Sequence, residues 1–425
     1  MTRPGYKMTE IGEIPEEWSI KRLGEIANLR GRKTTPHGSE IAVIPMEMVP
    51  QNAIYCGYKI IDKDTIKPPT YCEPGDILIP KITPSVENGK QGLVPDIPGN
   101  FGFATSEVFA ISCEKVASSH FIFYLLKLDT FRAILVNSMS GSTGRQRVPK
   151  EVLINLRLPV PNILEQQKIA EILTTADRKI ELIDHEIQAA EELKKGLMQT
   201  LLTRGIGHTK FKMTEIGEIP EEWIIKRLKD CTTPTQNIDP TTKFGTKSFK
   251  YIDVSGVSSE QLKIVESRLI QGTDAPSRAR KEVDTDDILV ATVRPSLKRV
   301  AKVSSDLNGQ VCSTAFCVIK TDRAIADPDY IFHSVTSDKF IQNISGFQTG
   351  SAYPAITDNQ VLSTYIAIPS LEEQNRIANI LSTIGKKIGF QRYKKSKAEQ
   401  LKKGLMQALL TGQVRVKIDP SRGEN

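Results

Sequence analysis

The sequence predicts an α+β protein in which one mixed strand-and-helix module occurs twice. Each copy is followed by a long helix, and the two helices separate the modules and pair antiparallel as a coiled coil about a pseudo-twofold axis. Three observations carry this expectation. The segment MTEIGEIPEEW at Met8–Trp18 recurs letter for letter at Met213–Trp223. LKKGLMQTLLT from Leu193 returns as LKKGLMQALLT from Leu401, and EQQKIAEIL from Glu165 aligns with EQNRIANIL from Glu373. Upstream of each late segment, apolar residues follow a seven-residue repeat. Met8 and Met213 are 205 residues apart and Leu193 and Leu401 are 208 apart, so the copies differ by a loop-sized indel. A repeat of this length is a duplicated domain rather than a solenoid unit.

Between these shared ends, Glu25–Ile154 and Lys229–Thr364 are largely unalike, apart from fragments such as DILIPKITPS from Asp76 and DILVATVRPS from Asp287. A kept frame around a diverged middle points to two modules doing one job on different targets. Short β-branched runs between turn signals predict strands at Ile41–Ile44, Asp76–Pro80, Val108–Ser112, Ile288–Val293 and Ala315–Ile319. Apolar residues at three-to-four spacing predict helical patches over Ser119–Leu135 and Pro328–Ile344.

From Glu165 to Leu202 there is no proline and one glycine. Ile169, Ala176, Ile183, Ala190 and Leu197 form one heptad column; Leu173, Ile180, Ile187 and Leu201 form the other, with Lys194 intruding. At 1.5 Å per residue such a helix is about 60 Å long. The second copy keeps Ile377, Leu381, Ile384, Ile388, Leu405 and Leu409, but Gln391, Lys395 and Lys402 stand in core columns. Glu165–Arg204 carries six basic and eight acidic residues, whereas Leu371–Lys417 carries eleven and three. Opposite charge makes these helices natural partners. Gly196 and Gly404, in the shared KKGLMQ, each cost about 1 kcal/mol of helix stability relative to Ala. Their retention points either to close approach of another backbone, from the second helix or a docked protein, or to a kink. Domain boundaries follow: modules at 1–160 and 209–368, helices at 161–208 and 369–425.

The 425 residues carry a net charge of +7, which permits polyanion binding without requiring it. No apolar run is long enough to span a membrane and no signal peptide opens the sequence, so a cytoplasmic protein with reduced thiols is expected. The six cysteines form no Cys-x-x-Cys pair, and His37, His120, His185, His208 and His333 have no ligand spacing.

Each module carries basic, hydroxyl-rich loops suited to grooves of DNA. The first has Lys81, Thr83, Ser85, Asn88 and Lys90, then Ser142, Thr143, Arg145, Gln146 and Arg147. The second has Arg294, Ser296, Lys298 and Arg299, with Ser351 and Tyr353 opposite the 142–147 loop. It adds Lys243, Lys247 and Lys250 in one loop and Arg278, Arg280 and Lys281 in another. Arg and Lys contact phosphates or guanine, and Asn and Gln pair with adenine. Trp18 and Trp223, amid non-basic neighbours, read as packed anchors rather than base-stacking platforms.

Chemistry motifs are missing. There is no Gly-x-x-x-x-Gly-Lys-Ser/Thr loop and no dinucleotide fingerprint. KPPTY at Lys67 differs from the adenine-methyltransferase signature, with Lys in place of the acid or amide and the aromatic displaced. Pro95-Asp96 lacks the Asp/Glu-x-Lys of a nuclease. The expectation is a chain with no catalytic residues and no metal site.

Together these features resemble the specificity (S) subunits of type I restriction–modification systems, over nearly the whole chain. The carriers are LRLPVPNILEQQKIAEIL (Leu156–Leu173) with IAIPSLEEQNRIANIL (Ile366–Leu381), the IPEEW segments ending at Trp18 and Trp223, and GDILIPKITPS from Gly75. The resemblance implies that each module is a target recognition domain for one half of a split double-stranded DNA site. It implies that the helices bind two methyltransferase (M) subunits, that S-adenosylmethionine belongs to those subunits, and that ATP and Mg belong to restriction (R) subunits. A free-standing DNA-binding protein such as a repressor, or a coiled-coil scaffold without DNA function, is the alternative.

Overall fold

The computed structural model describes residues 2–31, 33, 40–62, 70–142, 144–348 and 354–418. It divides into two compact units, one of Met1–Glu186 with Gln391–Asn425 and one of Ile187–Phe390. Both divisions fall inside the long helices, Ile163–Arg204 and Leu371–Leu410. Each unit therefore holds one module, the N-terminal part of the helix that follows it, and the C-terminal part of the other helix.

In the first unit one four-stranded sheet runs in the order Ala27–Leu29, Val108–Cys113, Ile77–Pro80, Gly92–Leu93. The other runs Lys59–Asp62, Glu40–Ile44, Gly102–Ala104, Thr70–Cys72, with its central pair parallel. The second unit repeats both sheets. Thr232–Thr233, Phe316–Thr321, Ile288–Ala291 and Val300–Lys302 form one; Arg268–Gln271, Ser248–Ile252, Gln310–Ser313 and Ala279–Val283 form the other, again with a parallel central pair. Central strands buried on both faces read as continuous apolar runs, which is why ILIP at Ile77 and ILVA at Ile288 stand out in sequence.

The expected helical patches are each broken in two. Ser119–Leu126 is followed by Asp129–Asn137, and Pro328–Val335 by Asp338–Ser345. In the second unit Ser337 causes the break, because its hydroxyl accepts from the Phe340 amide and starts a new helix. The predicted strand at Ile288–Val293 ends at Ala291, since Thr292 turns its hydroxyl onto the Ala315 carbonyl and Arg294 takes φ 49°.

In each unit one core cluster extends from the module into the long helices. In the first unit Ile111, Phe121 and Leu153 pack in one cluster with Trp18, Ile169, Leu173, Leu409 and Leu410. In the second, Ile319, Tyr330 and Ile344 pack with Trp223, Leu201, Ile377 and Leu381. Of the heptad residues, Ile183, Ile187, Ala190 and Ile388 are also buried, while Ile180, Leu197, Ile384 and Leu405 are half-buried.

Helix pairing is antiparallel within each unit. In the first, Lys402 Nζ lies 2.5 Å from Asp177, Lys395 Nζ 2.6 Å from Asp184, and Gln391 Nε2 2.6 Å from Glu186. The polar intruders in the second helix are thus the partners of acidic residues in the first. In the second unit Lys194 packs beside Gly385. Gly196 and Gly404 behave otherwise than close approach by the second helix requires. Nothing lies within 4 Å of a side chain built at either, so neither glycine is there to admit that helix.

Both tryptophans are anchors. Trp18 and Trp223 are 1% exposed, and their indole Nε1 atoms donate to Glu165 at 3.2 Å and Glu373 at 3.0 Å. A residue arriving from the far helix end completes each pair: Arg415 on Glu165 at 2.7 Å, His208 on Glu373 at 3.0 Å.

Candidate nucleic-acid interface

Backbone pairing brings the two predicted loops of the first module together. Ile82 bridges Arg147, the Thr83 amide donates to the Gln146 carbonyl at 3.2 Å, and the Val148 amide to the Lys81 carbonyl at 2.8 Å. Lys81 is half-buried, its ammonium 5.3 Å from the centre of the Phe109 ring, and burial lowers its pKa below the usual lysine value. Arg147 is exposed, and its guanidinium is held 2.9 Å from Glu107. Ser142, Arg145 and Asn88 face solvent and Gln146 is half-buried. Lys90 turns back, donating to the Met46 carbonyl at 2.9 Å. Ser85 does not belong to the surface: it is 7% exposed, and its carbonyl accepts from the Lys90 amide within the turn. Thr143 lies outside the described residues.

The second module uses the same place in the fold. Val293 bridges Ala355, and the Arg294 amide donates to the Pro354 carbonyl at 2.8 Å, matching the Ile82–Arg147 pairing. Arg294 and Lys298 both adopt left-handed backbone, at φ 49° and 53°, which bends this loop tightly around Pro295–Leu297. Arg294 and Ser296 are exposed. Lys298 pairs with Asp338 at 2.9 Å and holds that carboxyl below its ordinary range. Arg299 donates to the Val254 carbonyl at 2.6 Å. Ser351 and Tyr353 lie outside the described residues.

Two further basic segments meet beside it. The Ile238 amide donates to the Arg280 carbonyl at 2.7 Å, and Asn237 bridges Lys281, joining the segment before the helix Pro240–Phe244 to the strand Ala279–Val283. Lys243 thus lies in a helix and Arg280 in a strand rather than in loops, while Lys247 and Arg278 lie in the turns next to them. The Thr314 amide donates to Arg278 while the Ala315 carbonyl accepts from Thr292, so one turn touches both basic loops. Lys243 pairs with Glu282, Arg280 with Asp239, and Lys250, which lies in the strand Ser248–Ile252 rather than in a loop, with Asp306; Lys243, Lys247 and Arg278 are exposed. Lys281 is a correction. It lies in the strand Ala279–Val283, 8% exposed, with its ammonium on Asp358 and the Phe316 carbonyl, so it braces the sheet.

Sequence reasoning missed Glu107, which is 40 positions from Arg147 in the chain and carries no local signal. It also missed Glu165 and Glu373 as partners of the tryptophans, although both stand in segments shared by the copies. Among the described residues no group of three or more His, Cys, Asp or Glu could hold a metal. The cysteines are free, and burial pushes the Cys56 thiol up to about 12 and Cys113 to about 11. No described helix is long and apolar enough to cross a membrane.

The family model described as type I restriction modification DNA specificity domain matches this chain twice, at residues 15–192 and 211–400. The type I restriction enzyme MjaVIII specificity subunit of Methanocaldococcus jannaschii is 26% identical over 420 residues, covering 95% of this chain and 94% of that protein. In fold, the chain is similar to the S subunit of a type I restriction-modification system from M. genitalium, with TM-score 0.57, 12% identity and coverage of 96% and 99%. A second solved structure, from work on assembly and conformational transition of the type I R-M system, gives TM-score 0.51 at 17% identity, covering 94% of this chain and 99% of that one. The chain belongs to the type I restriction–modification DNA specificity family, as a specificity subunit with its recognition domain present twice.

Proposed function

We propose that each unit reads one half of a split double-stranded DNA target, and that the chain serves as the non-catalytic specificity subunit onto which two M subunits and the R subunits assemble. One observation carries this reading: the same loop pairing, Ile82 with Arg147 and Val293 with Ala355, presents different side chains from an identical topology. Equivalent placement with diverged chemistry is what two readers of different sequences need. S-adenosylmethionine would be held by the M subunits, and ATP and Mg by the R subunits.

The long helices offer a face for such assembly. Leu193 is 56% exposed beside Gly196, and Leu401 is 64% exposed beside Gly404, with open space over both glycines. An exposed leucine next to a bare helix backbone suits an incoming helix, and the ledge occurs once in each unit.

Replacing residues 25–154 by the module of another family member, then mapping methylated sites across the genome, tests the reading. One half-site should change and the other stay. A target altered in both halves, or tight site-specific binding by the chain alone without any M subunit, would speak for a free-standing repressor.

A further inference from the structure

The identical segments form a β-hairpin in each unit, Tyr6–Thr9 with Gly12–Pro15 and Phe211–Thr214 with Gly217–Pro220. Packing accounts for part of the identity. Ile14 and Ile219 are 2% exposed, the tryptophans are buried, and Gly12 and Gly217 take φ 108° and 94° at the turn. It does not account for the outer face. Met8 is 67% exposed and Met213 79% exposed, opposite Glu13 and Glu218 in register. Glu10, Glu16 and Glu17, with their copies Glu215, Glu221 and Glu222, also face solvent. The modules diverged across more than a hundred residues while these outward side chains stayed the same.

A shared surface on otherwise different modules points to something both units meet in the same form. DNA does not fit, because the basic side chains beside the hairpins are already engaged: Arg3 with Glu13, Arg157 with Glu10, Arg415 with Glu17 and Arg204 with Glu218, while Lys7 and Lys212 are turned onto the Glu16 and Glu221 carbonyls. Methionine is a soft, adaptable contact common at protein-binding surfaces. The hairpins also stand beside the helix ends. Tyr6 donates to the Gly412 carbonyl at 2.8 Å, and Arg204 lies 5.2 Å from the Phe211 ring centre and 3.0 Å from Glu218. Gly404 and Gly196 are eight residues back from Gly412 and Arg204, roughly 12 Å along the helix.

We infer that the two hairpins are a duplicated docking tip for one protein partner, engaged once per unit by an apolar socket rimmed with Lys or Arg on the M subunit. This rests on the assembly reading above and adds the surface and its chemistry. The test uses the full-length chain with its cognate M subunit, native mass spectrometry for stoichiometry, and titration for affinity. M8D and M213D should each weaken one of two binding steps by about tenfold or more, as loss of a central interface contact does. The double variant should weaken both steps, and M8L/M213L should retain both. Unfolding transitions equal to wild type confirm that the exposed substitutions leave the fold intact. A folded M8D/M213D chain that takes up two M subunits with unchanged affinity overturns the docking inference alone. A wild-type chain that recruits no M subunit overturns the assembly reading with it.

Discussion

Trp223 Nε1 donates to Glu373 Oε2 across 3.0 Å, joining the first turn of a module to the first turn of the helix that leaves it. Trp18 and Glu165 repeat the bond in the other unit. Glu165 is fully buried, and Arg415 supplies its charge partner through Nε and Nη2 while also reaching Glu17 at 2.8 Å. Carboxylates on both sides hold the Arg415 guanidinium in its charged form.

R415A leaves the Glu165 carboxylate buried with the indole alone. Removing one member of a buried pair is costly, and the one-third exposure of Arg415 discounts that cost to about 2 kcal/mol. Urea unfolding should show the first unit destabilised by that amount and R415K recovering most of it. An unchanged transition would mean that the contact contributes nothing.

His333 gives the second unit a dependence on acid. Burial lowers its pKa to about 4, and its Nε2 lies 3.0 Å from Ser382 Oγ. The folded form keeps the ring neutral while the unfolded chain protonates it near pH 6.5. Stability from this residue is therefore complete above about pH 6.5 and declines as pH falls toward 4, by up to about 3 kcal/mol. H333Q should remove this decline from pH-dependent melting curves.

Asp287 acts in the opposite direction. Burial raises it to about 6, with the Asp284 amide donating to it at 2.8 Å, whereas its counterpart Asp76 has the Arg30 guanidinium at 2.8 Å. A carboxyl with a raised pKa favours folding below about pH 4, and that gain disappears as pH climbs through 6. D287N should be as stable as wild type or more so at pH 7.5, and should lose the gain seen between pH 6 and 4. Because the two groups offset each other, D287N should make the His333 decline steeper and H333Q should expose the rise.

Arg147 lies on the paired loops of the first module, exposed apart from its contact with Glu107. R147A should weaken binding of the assembled methyltransferase to its target by about tenfold, the scale of one lost base or phosphate contact. Relaxed sequence preference should be confined to one half-site. R294A should do the same at the other. Competition binding against half-site variants, at fixed salt, reads both effects.

Paired insertions test the helices as a spacer. Seven residues added after Ala189 and seven after Gln391 preserve helical phase and lengthen each helix by roughly 10 Å. A target spacer longer by about three base pairs is expected, at roughly 34 Å per ten base pairs. A methylated motif with its original spacer would refute the idea.

The duplication and the first long helix were legible because they depend on local pattern: repeated letters, heptad spacing, absent proline. What escaped depends on partners far along the chain. Gln391, Lys395 and Lys402 look like defects in a heptad until Glu186, Asp184 and Asp177 are seen opposite them, more than 200 positions away. Lys281 sits in a basic run and reads as surface, yet Asp358 draws it inward from 77 positions off. The helical patches concealed a break, because periodicity continues across the Ser337 cap even though the backbone does not. Base-reading side chains were the least legible, since a loop's aim depends on the backbone turn, as the left-handed Arg294 and Lys298 show.

Leu409 and Leu410 belong to the same core as Ile14 and Trp18. During synthesis, that core waits for residues that leave the ribosome only after the whole of Ile187–Phe390 has been made. The first reader is thus finished last. A chain cut short anywhere in its second half carries an incomplete first recognition domain as well, so premature termination leaves neither domain whole rather than sparing the first.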